Sequence, residues 1–225
     1  MATQKRYAAR LGADRSLALG NVELWLAERR LLRVNGMVKP GEVLTVMGPS
    51  GSGKSSLLAF IAGFLARDFR ACGRVCLNGE DITGQPAELS GVGILFQDPL
   101  LFPHLSVGGN LGFGLRNREG AAGRIETALE SIGLPGFGGR DPATLSGGQK
   151  ARVSLMRLIL SKPNAVLLDE PFSKLDASLR REMRALVFEY LKREGIPALL
   201  VTHDEADAEA AGGQVITLEA IGESK

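Results

Sequence analysis

Histidine and cysteine are nearly absent from this chain of 225 residues: His104, His203, Cys72 and Cys76 are all there are. A zinc centre takes four protein ligands, or three and a water. No spacing here supplies them, so a zinc enzyme is not expected. Two cysteines four residues apart make no disulfide framework in a chain this long. They read as small buried apolar residues in a reducing compartment. Long apolar runs are missing too. The longest uncharged stretch, residues 99–115, contains Pro103, His104 and Asn110 and falls short of the ~20 apolar residues a helix needs to cross a bilayer. The first fifteen residues hold Lys5, Arg6, Arg10 and Arg15 without an apolar run, so they are not expected to be a secretory leader. Residues 1–16 read as a loose basic extension, and the protein is expected in the cytoplasm unless something else brings it to a membrane.

What is present is glycine and an uneven charge. The 29 glycines are nearly twice the usual ~7% of a chain. Net charge is only +2. Residues 1–40 nevertheless carry eight Lys/Arg against three acids, and residues 197–225 carry six acids against Lys225. A basic stretch is most simply a solvated face, and no nucleic-acid partner is expected. The length points to a single domain, residues 17–225.

The order of local patterns gives the fold class. Residues 43–47 form an apolar run of the kind buried on both faces of a sheet. A glycine loop comes next, and then Leu57, Leu58, Phe60 and Ile61 at helical spacing, with Gly63 as the stop. Arg74 to Leu77, followed by Asn78 and Gly79, predicts a strand entering a tight hairpin. Ile94 to Phe96 predicts another short strand, ending at Gln97. Between residues 99 and 144 glycine is dense, and the one clear helical pattern is Ile125, Leu129 and Ile132. This span reads as an inserted lobe. Beyond it, Val153, Met156, Ile159 and Leu160 mark a helix face. Ala165 to Leu168 and Ala198 to Val201 predict buried strands, and Leu179 to Leu191 a helix between them. Strand and helix alternate, which predicts an α/β core with a parallel sheet.

Three constellations carry chemistry. Gly48, Pro49, Ser50, Gly51, Ser52, Gly53, Lys54 and Ser55 match the phosphate-loop pattern, and Ser56 continues it into the helix. Glycines let a phosphate chain approach the backbone N–H groups, and the helix N-terminus adds positive potential. Lys54 brings a compact charge to the outer phosphates, and the Ser55 hydroxyl is placed to hold Mg2+. The second constellation is an apolar strand that ends in Asp169 and Glu170. Ligands of open parallel sheets sit beyond the carboxyl ends of strands. Asp169 is expected to hold the magnesium through its water shell, leaving Glu170 to orient or deprotonate a water. The third is Leu145, Ser146, Gly147, Gly148 and Gln149, directly before a helix, a second N-terminus suited to an anion.

In their order along the chain, residues 48–55, Gln97, residues 145–149, Asp169, Glu170, Leu175, Asp176 and His203 resemble the nucleotide-binding subunits of ABC (ATP-binding cassette) transporters. The resemblance runs from about Leu17 to Leu218. It implies a RecA-like P-loop NTPase core with a small antiparallel β subdomain and an inserted helical lobe. It also implies two subunits paired head to tail around two ATP molecules. By that resemblance Gln97 contacts magnesium and the attacking water, and Glu170, His203 and Gln97 form the catalytic set. Ser55, Gln97 and Asp169 surround the metal. Ser146, Gly147, Gly148 and Gln149 belong to the surface that holds the nucleotide of the other subunit. Asp176 lies at the interface, and His203 reaches the γ-phosphate.

The same resemblance implies a cellular role. Residues 93–107 look more like importer than exporter subunits. The implied partners are a second copy of the chain, membrane permease subunits and an extracytoplasmic substrate-binding protein acting through them. The chain would then sit peripherally on the inner face of the cytoplasmic membrane. The other readings are a soluble ABC-type ATPase of DNA repair or translation and a small P-loop kinase. Neither the coiled-coil insertion nor the second cassette of the former is present, and residues 145–149 argue against the latter. Some features depart from the family pattern. Where family members usually stack an aromatic on adenine this chain has Leu26, with Trp25 on the opposite strand face. Lys174 stands where a small residue is common, and regulation through a long tail after the His203 strand is not expected.

Overall fold

The computed structural model describes residues 15–218, so the basic extension expected over residues 1–16 lies outside it apart from Arg15 and Ser16. Two sheets form the frame. Strands β1 (Leu17–Leu26), β2 (Arg29–Val38), β4 (Phe69–Leu77) and β5 (Glu80–Asp81) make an antiparallel sheet in the order β2-β1-β4-β5. Strands β3 (Val43–Met47), β6 (Val92–Leu95), β7 (Ala165–Asp169), β8 (Ala198–Thr202) and β9 (Gln214–Thr217) make a parallel sheet in the order β6-β7-β8-β3-β9. The helices are α1 (Lys54–Ile61), α2 (Ala87–Ser90), α3 (Val107–Gly114), α4 (Ala121–Ser131), α5 (Gly147–Leu160), α6 (Ala177–Glu194) and α7 (Glu205–Ala211).

The parallel strands are apolar at nearly every position because both of their faces are covered. Successive side chains point to opposite faces. Leu44, Val46, Leu167, Leu199 and Val201 join Leu57, Leu58 and Ile61 of α1 and the inner face of the antiparallel sheet. Val166, Leu168, Ala198 and Leu200 face Met183, Val187 and Leu191 of α6 and Leu155 and Leu158 of α5. A third apolar cluster is separate. Val107 and Leu111 of α3 and Leu129 of α4 pack with Val153 and Met156 of α5. Asn110, fully buried, donates to the carbonyls of Phe102, Leu105 and Ser106 and accepts from the Phe102 N–H. It supplies the backbone bonds that the chain before α3 cannot make for itself.

Two expectations need correction. The cysteines are not buried: Cys72 is exposed and Cys76 half-buried, both as free thiols. The reason is strand alternation. Val75 and Leu77 point into the core, so Cys76 between them points to the outer face of the sheet. The strand expected over residues 94–96 instead spans Val92–Leu95, leaving Phe96 and Gln97 beyond its carboxyl end. The hairpin after β4 is as expected, with Asn78 and Gly79 both at positive φ, as a two-residue turn of this kind requires. Gly73, at φ +104°, sits where β1 bulges; a Cβ there would lie 2.4 Å from the Asn21 carbonyl oxygen.

Candidate functional site

Strands β3, β7 and β8 all end at one edge of the parallel sheet, and a cavity of about 580 Å³ opens there. Beyond Met47 the chain turns through residues 48–53 and enters α1 at Lys54. Gly53 takes φ +87° and offers no side-chain cap. The first-turn N–H groups of α1 therefore remain for a ligand. Ser50, Gly51, Gly53, Lys54, Ser55 and Ser56 line the cavity. Gly48 packs against Leu218, and the buried Ser52 hydroxyl has no hydrogen-bond partner among the described residues. Such an orphaned donor beside a loop of N–H groups suits a phosphate.

Lys54 is 6% exposed, and its Nζ donates to the carbonyls of Gly48 (2.7 Å) and Pro49 (2.8 Å). Burial lowers its pKa from the ordinary lysine value, while the carboxylates of Glu170 and Asp169 pull the other way. Opposite it, the Ser55 hydroxyl donates to Asp169 Oδ1 at 2.9 Å. Burial raises the Asp169 carboxyl above the usual range. The Ser55 hydrogen bond works against that rise, Glu170 adds to it, and Lys54 opposes it. A neutralised or cation-bound carboxylate suits this position.

Glu170 adopts φ +44°, a backbone strain of the sort found where a side chain must be aimed. Its N–H donates to the Val201 carbonyl at 3.0 Å. Its Oε1 lies 3.1 Å from Nδ1 of His203, whose side chain is 60% exposed just past β8. Gln97 reaches the same cavity and donates from Nε2 to the Ser173 hydroxyl at 3.0 Å. That hydroxyl in turn donates to the Glu170 carbonyl at 2.9 Å. The phosphate loop, Gln97, Asp169 and Glu170 thus converge on one cavity. Ser173 bridges Gln97 to the Glu170 backbone, while His203 touches Glu170 without lining the cavity. Sequence reasoning missed Ser173; its spacing of three from Glu170 at a strand end, a turn spacing, was the available signal. It also missed Leu31 and Phe69, which line the cavity beside Leu26.

Residues 146–149 and Asp176 are not among the residues lining this cavity. Ser146 caps α5 by accepting from the Gln149 N–H, and Gln149 Oε1 accepts from the Ser146 N–H, a reciprocal capping box. Gly147 lines a second, smaller cavity of about 180 Å³ with Gln97, Asp98 and Lys174. A Cβ on Gly148 would meet Leu179 Cδ2 at 2.2 Å, so that glycine brings the starts of α5 and α6 together. Asp176 caps α6, accepting from the N–H groups of Ser178 and Leu179. Lys174 pairs with Asp98, tying the segment after Glu170 to the one after Gln97. The His104 ring lies 5.9 Å from that of Phe102, tilted by 47°, and does not line the phosphate-loop cavity.

An ionic cluster stands behind His203. Arg184 pairs with Asp207 and Asp204, and Arg180 pairs with Asp204. Burial pushes the Asp204 carboxyl up, but the Ala206 N–H and the guanidiniums of Arg184 and Arg180 outweigh it and hold the pKa below the ordinary value. A carboxyl lowered by folding adds stability above its unfolded pKa, and that stability is lost as pH falls through the folded value. Asparagine caps a helix as well as aspartate does. Asp204→Asn should therefore lower the urea midpoint at neutral pH, with the gap to the parent closing in acid below the ordinary carboxylate range. A gap that stays constant into acid would assign the effect to packing instead.

Known proteins share both the sequence pattern and the fold. The sequence model of the ABC transporter family matches residues 31–173. The "Uncharacterized ABC transporter ATP-binding protein YnjD" of Escherichia coli is 48% identical over 198 residues, 86% of this chain and 91% of that protein. The Fe(3+) ions import ATP-binding protein FbpC of Pasteurella multocida is 41% identical over 185 residues, 80% of this chain and 52% of that one. The chain thus spans about half the length of such Fe(3+) import relatives. Among solved structures, cbiO1 from Clostridium perfringens, described as part of the ABC transporter complex cbiONQ, superposes with a TM-score of 0.77 at 27% identity. The match covers 91% of this chain and 84% of that one. A family match over more than half of the chain, and a relative nearly half identical across most of it, establish that this chain belongs to the ABC transporter family as an ATP-binding subunit.

Proposed function

We propose that this chain is the ATP-hydrolysing subunit that energises translocation by a membrane ABC transporter of the bacterial importer type. The observation that carries the reading is the division of the anion-binding elements. The phosphate loop, Asp169 and Glu170 share one cavity, while the Ser146 helix N-terminus lies outside it. A nucleotide bound in the first is then completed by the second only when another copy supplies it, head to tail. The importer assignment is supported by the Fe(3+) import relatives, and the transporter role also by cbiO1, part of an ABC transporter complex.

The chemistry is set by the named side chains. The loop N–H groups and Lys54 hold the phosphates, and their charge is aimed at oxygens that gain charge as the bond to the γ-phosphate breaks. Glu170, aimed by its strained backbone and with His203 beside it, takes the proton of the attacking water. Gln97, bonded to Ser173, positions that water and carries movement into residues 99–144, the lobe inserted in the ATPase domain. The Ser55 hydroxyl and Asp169 carboxylate, with Gln97 nearby, are hard oxygen donors that fit magnesium. When bound, that ion offsets charge on the β- and γ-phosphates. Ser146 and Gly148 cap the γ-phosphate held by the other copy, with Gly147 and Gln149 completing that cap and Asp176 at the seam. Hydrolysis removes the group the cap holds, and the pair opens.

No helix among the described residues is long and apolar enough to cross a membrane. In this reading the motion passes to permease subunits, with an extracytoplasmic binding protein delivering cargo to them and this chain docked on the inner membrane face. Co-purification from detergent-solubilised membranes tests this. A stoichiometric multi-span partner is expected, and its repeated absence would overturn the transport reading in favour of an ATPase without a permease.

A further inference from the structure

Beyond the phosphate loop the same cavity has an apolar end that the chemistry above leaves unused. Leu26, 43% exposed at the tip of β1, faces it, and so does Phe69, the first residue of β4. The two are direct partners in the antiparallel register, Leu26 opposite Phe69. Side chains so paired stand close enough to make one continuous surface. Leu31, buried beneath Gly53, closes the corner between this pair and the loop. On the opposite face Trp25 lies under the Arg70 guanidinium, 4.9 Å from the ring centroid. Alternation along both strands then fixes Leu26 and Phe69 toward the cavity.

We propose that Phe69, paired with Leu26, is the base-stacking residue of this chain, and that the wall they form accepts purines with little choice between adenine and guanine. The inference rests on the nucleotide reading of the site. An apolar wall beside a phosphate cradle suits a flat ring carried on a sugar triphosphate. Stacking on an aromatic face is tolerant of base identity, because every base has such a face. Discrimination between adenine and guanine needs donors and acceptors at the ring edge, and none of Leu26, Leu31 and Phe69 carries one. The aromatic is thus supplied by the fourth strand of the chain, across the sheet from the first-strand position where a leucine stands.

Equilibrium binding of three magnesium complexes separates this inference from the reading beneath it. The parent should bind ATP and GTP within about threefold of each other, since neither ring edge is read. Phe69→Ala should weaken both by about tenfold, the usual order for losing one stacked aromatic, while leaving inorganic tripolyphosphate unchanged. Phe69→Trp should restore the parental affinities for ATP and GTP. Unaltered tripolyphosphate binding also reports that the alanine variant is folded. Equal losses for all three ligands, or undiminished ATP binding in Phe69→Ala, would overturn the inference, as would a parental preference for ATP over GTP of about a hundredfold. A parent that bound neither ATP nor tripolyphosphate would instead refute the phosphate-loop reading, and the inference with it.

Discussion

Glu170→Gln is expected to lower ATP turnover by about a thousandfold, within the range for loss of a general base, while leaving ATP binding intact. Glutamine has nearly the same volume and its amide still reaches His203, whose Nδ1 lies 3.1 Å from the carboxylate. It cannot accept a proton from water. Lys54, the loop N–H groups and the capping helix remain, so the variant should form ATP-dependent pairs that outlast those of the parent. Turnover by phosphate release and particle mass by size-exclusion with light scattering check both halves of the expectation. Parental hydrolysis in this variant would show that Glu170 is not the base.

Ser146→Arg should stop hydrolysis as completely while sparing ATP binding by the isolated chain. Ser146 is exposed at the start of α5 and is not among the residues lining the phosphate cavity. The substitution removes a helix cap, a local loss of about 1 kcal/mol. It also places a bulky cation where the γ-phosphate of the facing copy would have to sit. Titration of ATP at protein concentrations too low for pairing isolates the first step, and the hydrolysis rate at high concentration reads the second. Weakened binding in the unpaired chain would contradict the division of the site into two halves.

The sheet edge that carries the phosphate loop and the acid pair is legible in the sequence because local patterns generate it. Residues 43–47, Thr45 apart, and residues 165–168 are apolar on both faces, which fixes them as interior strands. The glycine loop at the end of one strand and the acid pair at the end of the other must then lie at the same sheet edge. Ser146 and Asp176 are legible in another sense: each has a local task as a helix cap, which explains its residue type without reference to ligand. The missed features are those that depend on pairing register or on which way a strand faces. Phe69 meets Leu26 only because β1 and β4 run antiparallel in one register. The cysteines turn outward because their neighbours Val75 and Leu77 take the inner face. The bonds from Gln97 to Ser173 and from Lys174 to Asp98 join loops far apart in sequence. The acidic excess late in the chain is partly consumed by Arg180 and Arg184, which pair with Asp204 and Asp207.

The most direct test of a nucleotide clasped between two copies mixes the two inactive variants. A pair made of one Ser146→Arg chain and one Glu170→Gln chain contains one composite site with every group intact and one that lacks both. At equal concentrations recovery should reach at most about a quarter of the parental ATPase rate, because a two-fold pair offers two equivalent composite sites and persistent Glu170→Gln pairs lower the share of mixed ones. Recovery should also fall on dilution. If the mixture stays as inactive as either variant alone under conditions where mixed pairs form, each chain completes its own site and the two-sided account is wrong.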